Sequence, residues 1–389
     1  RNRRKAPMVN HLVTRLISTG IATSRSLTLG LMLLLSACSE PLPPVVPADL
    51  DVAKLSVSLT ALATLQLERQ QQLMLDAASL RLSIDEFLQE PDAQRQQAAQ
   101  TAWRSAHLAF LDLAALPLAG PLREPLAPLL YQIDAWPIEP GYLDQLPAYP
   151  DSGLISDLTV PITPESLREQ NGFTDSSEVS LGFHALEYLI FDRDATDFRI
   201  PGPASPRIEP TADAQINVNA NEIIVRRRLV LDVITLQITA DLDLWLTDPK
   251  RPNAPEDLML PTGEIARLLA HSLQTAQLAI TEVNRLLIPG EGHGVYSQSS
   301  RPALCSKVSG LKQIFFAPVR LGDVLSPLAA DATQNLQKSL QAATDLCALT
   351  EISELETSRL ELLLLALPNQ IEALSAALTK AMAEVQNQS

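Results

Sequence analysis

The chain has 389 residues, 46% of them hydrophobic, which is enough to bury a sizeable core and excludes a chain dominated by disorder. Aromatic residues contribute only 4%, which favours helices packed through Leu and Ala over a sheet-rich fold. The formal charge is −15, and such an acidic surface disfavours nucleic acid as a partner.

Residues 1–37 hold six basic residues (Arg1, Arg3, Arg4, Lys5, Arg15, Arg25) and no acidic one, so the remainder carries 24 basic against 45 acidic residues, a charge near −21. The basic residues lead into the apolar run Leu27–Leu35, then small residues, then Cys38. This pattern predicts an export segment over 1–37, with Met8 the expected initiator, and the run is too short to span a bilayer. Leu35-Ser36-Ala37-Cys38 resembles the lipobox of bacterial lipoproteins. That resemblance implies cleavage before Cys38, acylation of its thiol and a membrane as partner. Ser39, rather than Asp, after Cys38 implies the outer membrane of a Gram-negative envelope. The prolines at 41, 43, 44 and 47 predict an extended tether over 38–49. Elsewhere no apolar run reads as long and clean enough to span a bilayer.

Beyond the tether, Val52, Leu55, Leu59 and Leu62 recur at helical spacing, and the pattern continues through Leu82 and Phe87 as one long helix or two short ones. Pro91-Asp92 opens a second helix carrying Trp103, Ala106, Leu108 and Phe110. From Pro117 to Pro161 the prolines permit only short helices. Ser176-Ser177-Glu178 predicts the cap of a helix running to Phe191, and Asp192–Pro210 reads as a loop. Ala212–Leu246 is rich in β-branched residues, but its length decides for helix. A loop over Pro249–Pro261 and helices near Gly263–Leu287, Pro302–Phe316, Leu328–Leu349 and Glu351–Val385 follow, with Pro368 expected to kink the last. Strands and helices do not alternate, so the fold class is all-α, most simply two helical bundles, 50–210 and 211–389. Cys305 and Cys347, an even pair in an exported chain, predict a disulfide between neighbouring helices.

The most informative string is Gly182-Phe183-His184-Ala185-Leu186-Glu187. His184 and Glu187 lie three apart on one face of a helix that is apolar nearly all round, so both are buried and need partners. They can ligate one metal ion, as Glu-x-x-His pairs do in helical bundles, or satisfy one another by a hydrogen bond. His107 reads as a packed or surface residue on an amphipathic helix. His293, in the glycine-rich loop Gly290–Gly294, reads as exposed. Nothing local places these two, or His271, near His184. Asp192–Asp197 lacks the glycine and the glutamate of a calcium loop and reads as solvated.

Gly182-x-His184-x-x-Glu187 resembles the Gly-x-His-x-x-Glu signature of the imelysin family. Ala102-Trp103-Arg104, Asp134-Ala135-Trp136-Pro137, Arg226-Arg227-Arg228-Leu229 to Trp245, and Ser300-Arg301 are similar to further family elements in the same order, over about 50–385. The resemblance implies two related bundles with the signature near the cleft between them, and a lipid-anchored envelope protein linked to iron uptake and its components. It implies a metal ion, possibly iron, held by His184 and Glu187, with Arg104, Asp134 and Arg301 lining the site and Gly182 permitting close packing. Trp103 and Trp136 read as core. A hard ferric ion would favour oxygen donors beside the single His. The family is catalogued with metallopeptidases, so a zinc peptidase is the runner-up and a structural or interaction lipoprotein the third reading. Against the peptidase, His-Glu-x-x-His is absent, and Tyr188 stands where the inverted motif needs His.

Overall fold

The computed structural model describes residues 47, 49–114, 116, 127–200, 212–247, 270, 273 and 293–386, with side chains undescribed at 127, 128, 212–220, 385 and 386. The export segment, Cys38 and all but the end of the tether lie outside these residues. So do the expected loop over Pro249–Pro261, His271, Gly290–Gly292, and the helix expected over Gly263–Leu287 apart from Ala270 and Leu273, which are helical. The chain divides into residues 1–42 and 43–389. The second part is one compact unit and contains every described helix.

Among the described residues there is no strand, and the chain is all-α. Helix α1 spans Val52–Gln89 without interruption, its start capped by Asp51, which accepts from the Lys54 amide at 3.0 Å. Leu55, Leu59, Leu62, Leu73, Leu80, Ile84 and Phe87 form its buried stripe. The chain reverses through Glu90–Asp92 into α2 (Ala93–Ala114), which runs back along α1, so that Arg69 pairs with Asp112 at 3.0 Å. Three short helices follow: α3 (Ala127–Ile133), α4 (Pro140–Leu143) and α5 (Pro164–Gln170). Next come α6 (Gly182–Phe191) and a 3₁₀ turn at Ala195–Phe198. Helix α7 (Ala212–Leu246) lies antiparallel to α1: Arg81 meets Asp232 at 2.8 Å, and Gln70 donates to the Leu246 carbonyl at 3.2 Å.

The three arginines of α7 reach into the irregular stretch before it. Arg226 donates to the carbonyls of Leu154, Ile155, Asp157 and Val160. Arg227 grips the buried Asp144 carboxylate at 2.7 and 3.1 Å, and Arg228 bonds the carbonyls of Phe198 and Leu88. Backbone carbonyls in a segment with little regular structure need donors once buried, and these guanidiniums supply them.

The remaining helices are α8 (Ser300–Phe315), α9 (Leu321–Leu325), α10 (Ala330–Cys347) and α11 (Glu354–Gln386). Cys305 and Cys347 are bonded, joining α8 to α10, and Gln370 donates to Ser339 at 2.9 Å to join α11 to α10. Helix α11 continues through Pro368. It is long and apolar enough to cross a membrane by length and composition, contrary to the expectation that no such run exists. Its buried residues Leu360, Leu364, Leu367, Ile371, Leu374 and Leu378 recur at helical spacing and belong to the common core. The other departure from expectation is α6, which begins at Gly182 rather than near Glu178. Glu178 instead accepts from Thr174 and Asp175 in the preceding turn.

Candidate metal centre

Gly182 starts α6 with φ +83°, a conformation that favours glycine. A Cβ there would sit 2.4 Å from the Gln132 carbonyl oxygen and 2.7 Å from that of Ile133. Only glycine lets the start of α6 press against the end of α3, and this contact brings His184 beside Asp134, one residue past α3. Trp103 on α2 donates its indole N–H to the Phe183 carbonyl at 2.8 Å, fixing the other side of the same turn. His107 follows Trp103 by four residues and so shares its buried face. His293 arrives from the segment before α8, where Gly294 turns with φ +76°.

The three imidazoles converge on one carboxylate. Asp134 Oδ1 lies 2.8 Å from His107 Nε2 and 3.2 Å from His184 Nε2, and Asp134 Oδ2 lies 3.1 Å from His293 Nε2. One ligand atom from each of the four side chains falls within 4.8 Å of the others, the only such group of three or more among the described residues. The rings are packed edge to face or stacked, with centroids 4.1 Å apart for His184–His293 and 4.9 Å for His107–His293. All three histidines are buried, and Asp134 is the one member with appreciable exposure, at 19% of its side chain.

His184 is held from behind by Glu187, whose Oε2 lies 2.8 Å from Nδ1. The other Glu187 oxygen accepts from both the amide and the hydroxyl of Ser297, at 2.8 and 2.7 Å. Both carboxylate oxygens are therefore engaged, on the side of His184 away from the cluster. Glu187, expected as a ligand, lies outside the group of four and stands behind His184, as the carboxylate of a carboxylate–histidine pair does. The Nε2 of His184 is buried with no hydrogen-bond partner, because its approach to Asp134 lacks hydrogen-bond geometry. A cation at the centre of the cluster would take the lone pair of His184 Nε2 in place of a proton facing Asp134.

The electrostatics are those of a site with one net positive imidazole. Burial disfavours charge on His184, but the facing carboxylates of Asp134 and Glu187 outweigh it and push its pKa up to about 9. Burial and the charge on His184 push His293 down to about 3, and burial lowers His107. Burial would raise Asp134, yet the three histidines hold it well below the usual carboxylate range. Glu187 is also lowered, since His184 and Ser297 overcome its burial.

Of the other residues singled out by sequence, Arg104 does not touch the cluster: it donates to the Ser297 carbonyl at 3.2 and 3.0 Å and lies over the Phe191 ring. Arg301 is directed elsewhere, to the carbonyls of Leu346 and Leu349 at the end of α10, so it does not line the site. Trp103 is fully buried, whereas Trp136 is only half-buried and stands 6.0 Å from the His293 ring. His293, expected exposed, is buried inside the cluster because the segment folds back onto Asp134. His107 carried one legible signal, a polar residue on the Trp103 face of α2. His293 carried none, since its placement depends on a contact with a residue 159 positions away.

The donor set is chemically coherent. Three imidazoles and one carboxylate are typical donors for divalent first-row ions such as zinc, ferrous iron, nickel and copper. They are less suited to the hard ferric ion expected from a carboxylate-rich site.

Comparison with known proteins identifies the family. The imelysin family profile matches residues 66–388. No curated protein matches the chain. Among solved structures, one assigned as an iron-regulated protein A precursor from Parabacteroides distasonis ATCC 8503 is similar, with a TM-score of 0.55 at 12% identity, over 86% of this chain and 96% of that one. An imelysin-like protein from Psychrobacter arcticum 273-4 is similar with a TM-score of 0.53 at 15% identity, over 84% of this chain and 96% of that one. At such identities the likeness speaks for the fold, while the profile spans most of the sequence, and the chain belongs to the imelysin family.

Proposed function

We propose that this protein binds a divalent transition-metal ion, ferrous iron being the physiological candidate, through His107, Asp134, His184 and His293, and that it serves iron acquisition from a lipid-anchored position in the bacterial envelope. The observation that carries the reading is the convergence of three imidazole Nε2 atoms on the single Asp134 carboxylate, with one ligand atom of each of the four side chains within 4.8 Å of the others. A proton on His184 and a cation at the centre are alternatives, because ligating imidazoles are neutral, so binding would release a proton. The iron assignment draws support from the printed name of the similar Parabacteroides structure. The anchor and the envelope location draw support from the string ending at Cys38. Partners among iron-uptake components belong to the same proposal.

The peptidase reading has less support. A zinc peptidase needs a carboxylate free to act on the attacking water, and both Glu187 oxygens are committed to His184 and Ser297. The test of metal binding is an anaerobic titration of the purified, chelator-stripped protein with ferrous iron and with Zn(II). Wild type is expected to take one ion per chain. His184→Ala and Asp134→Ala are expected to lose at least 100-fold in affinity, on the scale of lost ligands. Equal uptake by wild type and both variants would remove the site.

A further inference from the structure

We propose that Arg104 and Ser297 are positioning residues of the metal centre: together they hold Glu187 so that His184 presents Nε2 to the other ligands. This rests on the reading of the cluster as a metal site. A buried imidazole can rotate about its ring bond and exchange the nitrogen it presents, so a carboxylate behind it must itself be fixed to be useful. Glu187 is fixed from one residue. The Ser297 amide and hydroxyl both donate to Oε1, leaving Oε2 aimed at His184 Nδ1. Ser297 is fixed in turn by Arg104, whose Nε and Nη2 both donate to its carbonyl, while the guanidinium packs 4.6 Å over Phe191 of the helix that carries His184. The Ser299 hydroxyl, 2.6 Å from Ser297 Oγ, completes the turn.

The arrangement has a second consequence. His293 stands four residues before Ser297, with the Gly294 carbonyl between them accepting from the Ser299 amide. One short segment therefore supplies an inner ligand and the group that orients another. Arg104, anchored on α2 three residues before His107, ties that segment to the helix bearing a third ligand. Both guanidinium bonds run to a main-chain carbonyl, so Arg104 acts on the site through Ser297.

The experiment measures Co(II) binding and the visible Co(II) spectrum in wild type and in Arg104→Gln, Ser297→Ala, Ser297→Thr and Arg226→Gln. Arg226 also clamps main-chain carbonyls, far from the cluster, and serves as the comparison for a structural arginine. Arg104→Gln and Ser297→Ala are expected to weaken Co(II) binding by about 10–100-fold and alter the spectrum, as loss of an outer-shell partner does. Ser297→Thr keeps the hydroxyl and stays near wild type. Arg226→Gln lowers the melting temperature with the affinity unchanged. Amide hydrogen exchange gives a metal-free readout: Arg104→Gln should speed exchange at Ser297 at least tenfold and leave Leu336 in α10 unaffected. Wild-type Co(II) affinity and spectrum in both Arg104→Gln and Ser297→Ala would overturn this inference while leaving the metal site standing. Failure of wild type to bind any ion would overturn both.

Discussion

Two aspartates ten residues apart, Asp134 and Asp144, show how the same carboxylate becomes either a strut or a site. Asp144 is fully buried against Arg227, with Arg193 Nε at 3.2 Å, and Arg193 also bonds the Tyr188 hydroxyl. Its partners are guanidiniums, which hold their charge at any working pH, have no lone pair to offer a cation and pin α4, α6 and α7 together. Asp134 faces three imidazoles, each able to be neutral and to donate a lone pair. It also keeps a strip of exposure, at 19% of its side chain. The carboxylate is common to both; the exchangeable proton and the lone pairs separate them.

Breaking each cluster should therefore have different consequences. The largest loss of stability is expected for Asp144→Ala, which strands buried arginines and should cost about 3–5 kcal/mol. Denaturant unfolding would measure it, and the ion-induced stabilisation of the remaining folded protein should persist. Asp134→Ala should do the reverse, removing the ion-dependent rise in melting temperature. Reduction of the Cys305–Cys347 bond, in a region touching neither aspartate, should cost about 2–4 kcal/mol and leave metal affinity unchanged. Gly182→Ala should cost about 1–3 kcal/mol through strain and displacement of α6, and unlike disulfide reduction it should also weaken metal binding.

The change that needs no substitution is the pH profile of the metal-free protein, whose effect per pH unit is the gentlest. His184, raised to about 9, contributes stability that is complete below its unfolded value near 6.5 and is lost as pH climbs through 9. His293, lowered to about 3, must stay neutral in the fold, so stability is lost as pH falls from about 6.5 toward 3. Metal-free protein should be most stable near pH 6.5, with slopes on either side of up to about 1.4 kcal/mol per pH unit. Melting curves across pH would show it. A profile flat from pH 5 to 9 would contradict the placement of these two imidazoles.

The legible parts of the molecule were those governed by local period. The stripes of α1, α7 and α11 are repeats at helical spacing, and Gly182, His184 and Glu187 sit within one short string. The start of α6 was misplaced because the Ser177–Glu178 signal builds a turn, while the helix waits for the glycine that can approach α3. Glu187 stands behind His184 and outside the four converging groups, since helical spacing fixes which residues share a face and says nothing of what stands behind them. His293 and Ser297 reach Asp134 and Glu187 across more than a hundred residues, and no local pattern records such a contact.

X-ray absorption on protein loaded with one equivalent of Zn(II) tests the centre most directly, because imidazole rings leave a distinctive multiple-scattering signal. Three imidazole ligands and one oxygen donor, falling to two imidazoles in His293→Ala, is the result expected. A spectrum with fewer than two imidazoles, or one unchanged by His293→Ala, would mean that the ion binds elsewhere and that the cluster around Asp134 is a strut like its neighbour.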